Sequence, residues 1–447
     1  MRNSLSLTLI IYVGIVYGPF ESLKGASGLF RDGIGGAALS KAGAVVASPA
    51  TPIESISANP AGLALAESPS AELSISAGVG TGRFEDGGGN TGKLAERVGA
   101  LGDLGVVYPV SGKGIVMGVA SYFQSALRAE WNLFDPPGGL DGQTSLGNFS
   151  QRSEIILHRT AFGLAGNISP RLSVGASVGL VYNENRLRTP YIFQSHPQLQ
   201  GIKTALDLDT EGLGFDGNLG LVYQLRDDLT LGFSYALPIS IKAHGAANGD
   251  VGAQFRSLGG AFAAADPLFS YDARVNNQMP QIVSWGVTWD PAPRWQVSGQ
   301  MDWFEWSNGF DALEVRLRNG TNGAINNFVG GSAADDVVPL NWQNRFVYRL
   351  GVEHTVSEAL KLRAGYSYGR SPVPSHSLNP LVAVVSEHTV GVGLGFALGK
   401  TWVDVGYRAQ IPSRRSVGTS RWLAGELDGS RVSTGVHWVS ASVRFGW

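Results

Sequence analysis

From about Ala71 onward the chain alternates, one residue apolar and the next small or polar, and little else recurs. Leu172, Val174, Ala176, Val178, Leu180 and Tyr182 interleave with Ser173, Gly175, Ser177, Gly179 and Asn183. Leu229, Leu231, Phe233, Tyr235 and Leu237 do the same against Thr230, Gly232, Ser234 and Ala236, and Val390, Val392, Leu394 and Phe396 against Gly391, Gly393 and Gly395. Period two puts all the bulky side chains of a strand on one face. In water that face turns inward, as in a sandwich; in a bilayer it meets lipid and the small face lines a lumen.

Loop lengths decide between the two. Fourteen strand candidates centre near residues 77, 105, 120, 160, 178, 219, 235, 286, 299, 348, 364, 392, 405 and 441. Every second connection is tight: 111–113, 167–170, 226–228, 292–294, 356–358 and 399–400. The intervening ones, 84–100, 129–153, 188–212, 244–280, 306–339, 371–386 and 411–434, are long. Short periplasmic turns alternating with long outer loops are the pattern of an outer-membrane barrel, and a sandwich gives no reason for it. The expected fold is all-β, a 14-stranded antiparallel transmembrane β-barrel. Val439, Ala441, Val443, Phe445 and Trp447 continue the alternation to an aromatic carboxyl terminus, as in barrels delivered to the barrel-assembly machinery.

Ahead of the strands, Gly28 to Leu63 is rich in Gly, Ala and Ser, has no period, and is apolar enough to be buried. Within a closed barrel such a segment is a plug, so residues 27–69 are expected to fill the lumen of the 70–447 barrel. Residues 1–26 have the form of an export signal, with Arg2, an apolar core from Leu7 to Phe20 and a cleavage site near Lys24-Gly25-Ala26. That core rises only about 21 Å as a helix, short of a roughly 30 Å hydrocarbon layer. Charged residues are 16% and Gly is 61 of 447, against roughly 25% and 7% in soluble domains. Mean hydropathy is only +0.03, the dilution that barrel strands produce. A net charge of −2 gives no reason to expect nucleic acid. Zero cysteines exclude disulfides and thiolate metal sites. No cofactor is expected.

Two enzyme-like motifs fail on context. Gly175-Ala-Ser177-Val-Gly179 has the G-x-S-x-G spacing, which needs a strand-to-helix turn, yet the alternation runs straight through it. Gly212-Leu-Gly214-Phe-Asp-Gly217 precedes a strand where a dinucleotide site needs a helix. The seven His residues show no metal spacing.

Asn59-Pro60-Ala61, alone, is a turn. Taken with Gly33-Ile-Gly-Gly-Ala37 before it and Leu63 after it, the stretch resembles the hatch of the long-chain fatty-acid outer-membrane transporter family (FadL/TodX type, OMPP1). The resemblance continues through Pro280, Trp285-Gly-Val-Thr-Trp289, Asp302-Trp-Phe-Glu-Trp306-Ser307, Asn341-Trp342, Leu362-Arg-Ala-Gly-Tyr366 and Ser371-Pro-Val-Pro374. It departs where the family carries Pro-Asp-x-x-Arg before the twelfth strand and this chain has Val385-Ser-Glu-His388.

The resemblance implies a channel in the outer membrane of a Gram-negative bacterium, monomeric among lipid and lipopolysaccharide. It would take up hydrophobic small molecules passively, either long-chain fatty acids or aromatic or alkane hydrocarbons. Asn59, Pro60 and Ala61 would form the hatch gate, set against a kinked third strand (Gly118, Ala120 and Ser121 suit a bend) with a lateral exit beside it. Outer-loop residues Tyr191, Ile192, Phe193, Leu199, Phe255, Leu258, Phe262, Leu268 and Phe269 are candidates for ligand capture; equally, the two loops that carry them pack on each other. Parity places Arg345, Arg349, Arg363, Asp404, Arg408 and Arg444 on the lumen face, as plug and wall contacts. A lipid hydrolase, built on a Ser-His pair, and an adhesin are the alternatives.

Overall fold

Each alternating run folds as a strand, and each strand is paired antiparallel with its neighbours in the chain. The computed structural model describes residues 27–96, 98–110 and 114–447; the expected export signal (1–26) and the connection 111–113 lie outside them. The strands are β1 (Ser70–Glu85), β2 (Val98–Val110), β3 (Ile115–Asp135), β4 (Gly147–Ser169), β5 (Leu172–Ile192), β6 (Lys203–Arg226) and β7 (Leu229–Ala236). The second half is β8 (Ile282–Ala292), β9 (Trp295–Phe304), β10 (Arg345–Ser357), β11 (Leu360–Gly369), β12 (His388–Leu398), β13 (Thr401–Ser416) and β14 (Arg431–Gly446). β14 closes on β1 from Ser70↔Gly446 to Glu85↔Arg431, which leaves the ring without an edge.

The register is the one that alternation predicts. Val178 is 66% exposed and Phe215 79%, whereas Ser177 is 3% exposed and Asn183 0%. Bulky apolar side chains therefore form the outer belt and the small face looks inward. At one end the connections are two-residue turns, at 170–171, 227–228, 293–294, 358–359 and 399–400.

At the other end, several stretches expected as loops are strand. β3 and β4 continue to Asp135 and from Gly147, and β5 and β6 to Ile192 and from Lys203. Further strands at Ile239–Asp250, Leu268–Met279, Ala312–Arg318 and Ala334–Pro339 pair in turn beside β6. Beyond the lipid belt the outward positions carry charge (Arg152, Glu184, Arg186, Asp209). The contrast that marks a strand in the bilayer fades there.

Residues 27–69 run inside the ring. Helix α1 (Gly36–Ser40), helix α2 (Glu54–Ser57) and a 3-10 turn (Pro60–Leu65) interrupt an otherwise irregular path. This segment follows the wall almost all the way round. A Cβ on Gly406 of β13 would stand 2.5 Å from the Gly36 carbonyl, and one on Gly365 of β11 2.2 Å from the Lys41 carbonyl carbon. Gly232 of β7 would meet the Val46 carbonyl at 2.4 Å, Gly175 of β5 the Pro60 carbonyl at 2.4 Å, and Gly118 of β3 the Leu63 side chain at 2.6 Å. The inward glycines of the alternation are thus the places where plug and wall touch.

Candidate functional site

Polar anchors fix the plug where glycine does not. Arg349 of β10 donates to the Asp32 carboxylate at 3.0 Å, to Asp302 of β9 at 2.6 Å and to the Ala42 carbonyl at 2.8 Å. Arg408 of β13 donates to the Asp32 carbonyl and lies over the Trp438 ring. Arg363 of β11 is held by Glu353 and Asp404, and Arg444 of β14 donates to the Ala50 carbonyl at 2.6 Å. Arg345 reaches the Ser371 carbonyl at 3.0 Å, at the outer end of β10. These arginines are all engaged with wall, plug or loop.

Asn59, Pro60 and Ala61 are placed away from the third strand. Asn59 Nδ2 donates to the Val46 and Leu221 carbonyls at 2.7 and 3.0 Å, and its Oδ1 accepts from the Ala61 amide at 3.1 Å. Pro60 rests on Gly175 of β5 and Gly220 of β6. The strand irregularity is not at Gly118, Ala120 or Ser121, which are in regular ladder, but at a bulge between Phe123 and Ser125. Among the described residues β2 pairs with β3 only as far as Leu104↔Ser121. Ladder-like contact resumes higher up, where the Ala95 amide donates to the Glu130 carbonyl at 3.0 Å. In between, Tyr122 to Ala129 are buried at seven of eight positions, so alternation stops and this stretch has turned into the barrel. The plug meets it there: the Arg31 amide donates to the Gln124 carbonyl, Arg31 pairs with Asp103 at 2.9 Å, and Ser125 Oγ donates to the Leu29 carbonyl at 2.6 Å. Nothing in the sequence marks Gln124 as a bulge.

Above the plug the lumen is apolar. Leu29, Phe30, Trp306, Trp342, Leu127, Val347 and Val384 belong to one buried cluster. The connection 371–386, expected as an outer loop, dives into this cluster. Val373, Leu378, Leu381, Val384 and Val385 are all buried there. Asn379-Pro380 starts a short 3-10 turn capped by its Asn side chain, as Asn59-Pro60 does, and Trp131 Nε1 donates to the Pro380 carbonyl at 3.1 Å.

Over this floor lies a chamber of about 180 Å³. Its walls include Phe84, Leu133, Leu187, Tyr191, Ile192, Phe193, Leu208, Val315 and Trp422, and its floor Pro380, Leu381 and Val382. Two polar nodes tie the outer segments around it. The Asp336 carboxylate accepts from Tyr191 Oη and from the amides of Gln194, Ser195 and His196. Lys203, fully buried, lies 2.8 Å from Asp135 and 2.5 Å from Glu426 and donates to the Pro136 carbonyl. Burial pushes the Glu426 carboxyl above its usual range, and the Lys203 ammonium only partly offsets this.

A second apolar cavity, of about 160 Å³, shares Phe193 and is lined by Leu199, Phe255, Leu258, Phe262 and Phe269 among others. An engineered cavity of about 150 Å³ with comparable walls stays dry and takes up benzene. Of the residues marked as capture candidates, Tyr191, Ile192 and Phe193 reach the first cavity, and Phe193, Leu199, Phe255, Leu258, Phe262 and Phe269 the second. Leu268 is 60% exposed and lines neither. The two loops also pack on each other, Phe193, Leu199, Phe255 and Phe269 sharing one cluster. Leu381, Val382 and Trp422 of the chamber were not foreseen, since floor and rim come from segments expected to point outward.

Ser177 contacts Arg159 at 3.2 Å. Ser121 Oγ does lie 3.2 Å from His158 Nε2, but Asp103, the neighbouring acid, is bonded to Arg31 and to the Phe123 amide.

A closed antiparallel barrel, outer belt apolar, lumen plugged from the amino terminus and roofed by an apolar chamber, defines an outer-membrane transport barrel. The chain belongs to the outer membrane protein transport protein family (OMPP1/FadL/TodX), whose model matches residues 26–445. Among solved structures it is similar to the Pseudomonas putida toluene transporter TodX (20% identity, 93% of this chain and 99% of that one, TM-score 0.75). It is also similar to a Pseudomonas aeruginosa FadL homologue (16%, 94% and 99%, TM-score 0.74) and to the Ralstonia pickettii toluene transporter TbuX (18%, 93% and 99%, TM-score 0.68). No curated protein matches the chain in sequence.

Proposed function

We propose that the chain carries hydrophobic small molecules, fatty acids or aromatic or alkane hydrocarbons, passively across the outer membrane. The molecule enters between the outer loops, rests in the chamber over Pro380 to Val382, and leaves past the plug edge at Leu29 to Arg31. The observation that supports this best is the chamber itself, apolar and continuous below with the buried cluster that reaches Leu29 and Phe30. Each buried CH₂ of a ligand gains about 0.8 kcal/mol, so an apolar route is favoured over a water-filled one. The unpaired interval between β2 and β3 supports a sideways exit into lipid, which spares the molecule a second contact with water. Residues 59–61 act in this reading as a fixed seat for the plug, on β5 and β6.

The test is uptake of radiolabelled toluene and dodecane by cells producing this chain in a host without a channel of this kind, with native mass spectrometry of the purified barrel. Uptake no faster than in cells with an empty vector, from a barrel shown to be folded in the membrane, would sink the proposal.

A further inference from the structure

The chamber is apolar, but its charged fringe is of one sign. Asp86, Asp135, Asp336 and Glu426 contribute to its lining, and among the described residues no Lys, Arg or His does. Lys203 stands behind Asp135 and Glu426 with its side chain fully enclosed, so one ammonium faces two carboxylates and the node retains a negative charge when both are ionised. Asp336 is satisfied by hydroxyl and amide donors, which hold a carboxylate in place without cancelling its charge. The Asp86 carboxylate accepts only from the Gly88 and Asn90 amides of its own turn among the bonds described.

Deeper in the barrel the cations do not reverse this. Arg31, Arg349 and Arg363 face Asp103, Asp32 with Asp302, and Glu353 with Asp404. Arg408 is 1% exposed and bonded to the plug.

Resting on the uptake reading, we infer that the acidic fringe is a charge filter: this channel admits uncharged hydrophobic molecules and turns away the anions of fatty acids. An alkyl chain and an alkyl carboxylate gain the same burial from the walls. The carboxylate must in addition pass fixed negative charges, and among the described residues no cation lines the chamber to receive it. In a partly wet site a like charge about 10 Å away shifts an equilibrium by roughly tenfold. Asp86 and Glu426 are the residues to which selectivity is assigned, since neither is buried as deeply as Asp336.

The experiment compares labelled 1-dodecanol with labelled dodecanoate at pH 8, in cells producing the full chain, after subtraction of uptake by empty-vector cells. Wild type should carry dodecanol at least about tenfold faster than dodecanoate. D86N and E426Q, singly and together, should raise the dodecanoate-to-dodecanol ratio, the double variant by roughly tenfold or more. Equal rates for the two probes in wild type would overturn the filter while leaving the uptake reading intact. So would an unchanged ratio in D86N, a substitution in a surface turn that leaves the Lys203 node untouched. If neither probe nor toluene enters faster than in empty-vector cells, the uptake reading itself has failed.

Discussion

Arg349 and Asp32 are 317 positions apart in the chain and 3.0 Å apart in the lumen, both side chains almost wholly buried. The pair joins the plug to the wall through a charge that neither half could bury alone. Asp302 shares the same guanidinium.

Replacing Arg349 by Ala should therefore weaken the plug far more than the barrel. Two carboxylates would be left without their cation, at a cost of about 3–5 kcal/mol for a broken buried pair. The ladder hydrogen bonds are untouched, so the barrel should still migrate as folded in unheated gels. Residues 27–69 should become open to proteolysis. Protection equal to wild type would show that the glycine contacts alone hold the plug.

Gly220→Ala tests those contacts. Its Cβ would fall 2.0 Å from Asn59 Oδ1, and that side chain is pinned by the Leu221 and Val46 carbonyls. The plug turn must move away, and liposomes containing the variant should admit small sugars faster than those with wild type. Swelling rates that match would mean the turn relaxes without opening a path.

Trp131→Phe keeps a ring in the cluster but removes the donor to the Pro380 carbonyl, worth about 0.5–1.5 kcal/mol. Amides from Leu378 to Val385 should exchange with deuterium several-fold faster, and hydrophobic uptake should not fall. A floor that exchanges as slowly as before would be a static wall.

Acidity should tighten the roof. Burial raises the Glu426 carboxyl, so the closed arrangement binds a proton more readily than the open one. The stabilisation is present below the ordinary carboxyl value of about 4.3 and is lost as pH rises through the raised value. Proteolysis of the 417–430 loop should accordingly be slower toward pH 5 than at pH 8, and Glu426→Gln should flatten that dependence. A profile unchanged in the variant would assign the effect to another group.

The barrel was legible because lipid and lumen impose opposite demands on consecutive residues; all fourteen strand centres read from the alternation fall within strands. Legibility ended where that contrast ends. Outer strands such as 203–210 carry charges outward and read as loop, and 373–385, preceded by Pro372 and interrupted by Pro374 and Pro380, reads as an outer loop though it lies largely buried. The partners of Asn59 were invisible for another reason. Glycines at 175 and 220 can serve a bend, a lumen face or a contact, and only the path of the plug selects among these.

The glycine contacts also bear on how such a molecule can be made. A cork pushed into a finished bottle needs clearance, and the wall facing residues 36–63 offers hardly any. Strand after strand leaves room for a backbone and for little else, so the interior resembles a casting around its core. The barrel should then close with the plug already in place, the last strand reaching β1 across a lumen that is filled. A barrel made without residues 27–69 should not be repaired by adding that peptide afterwards, whereas the same segment synthesised in line should seat every time.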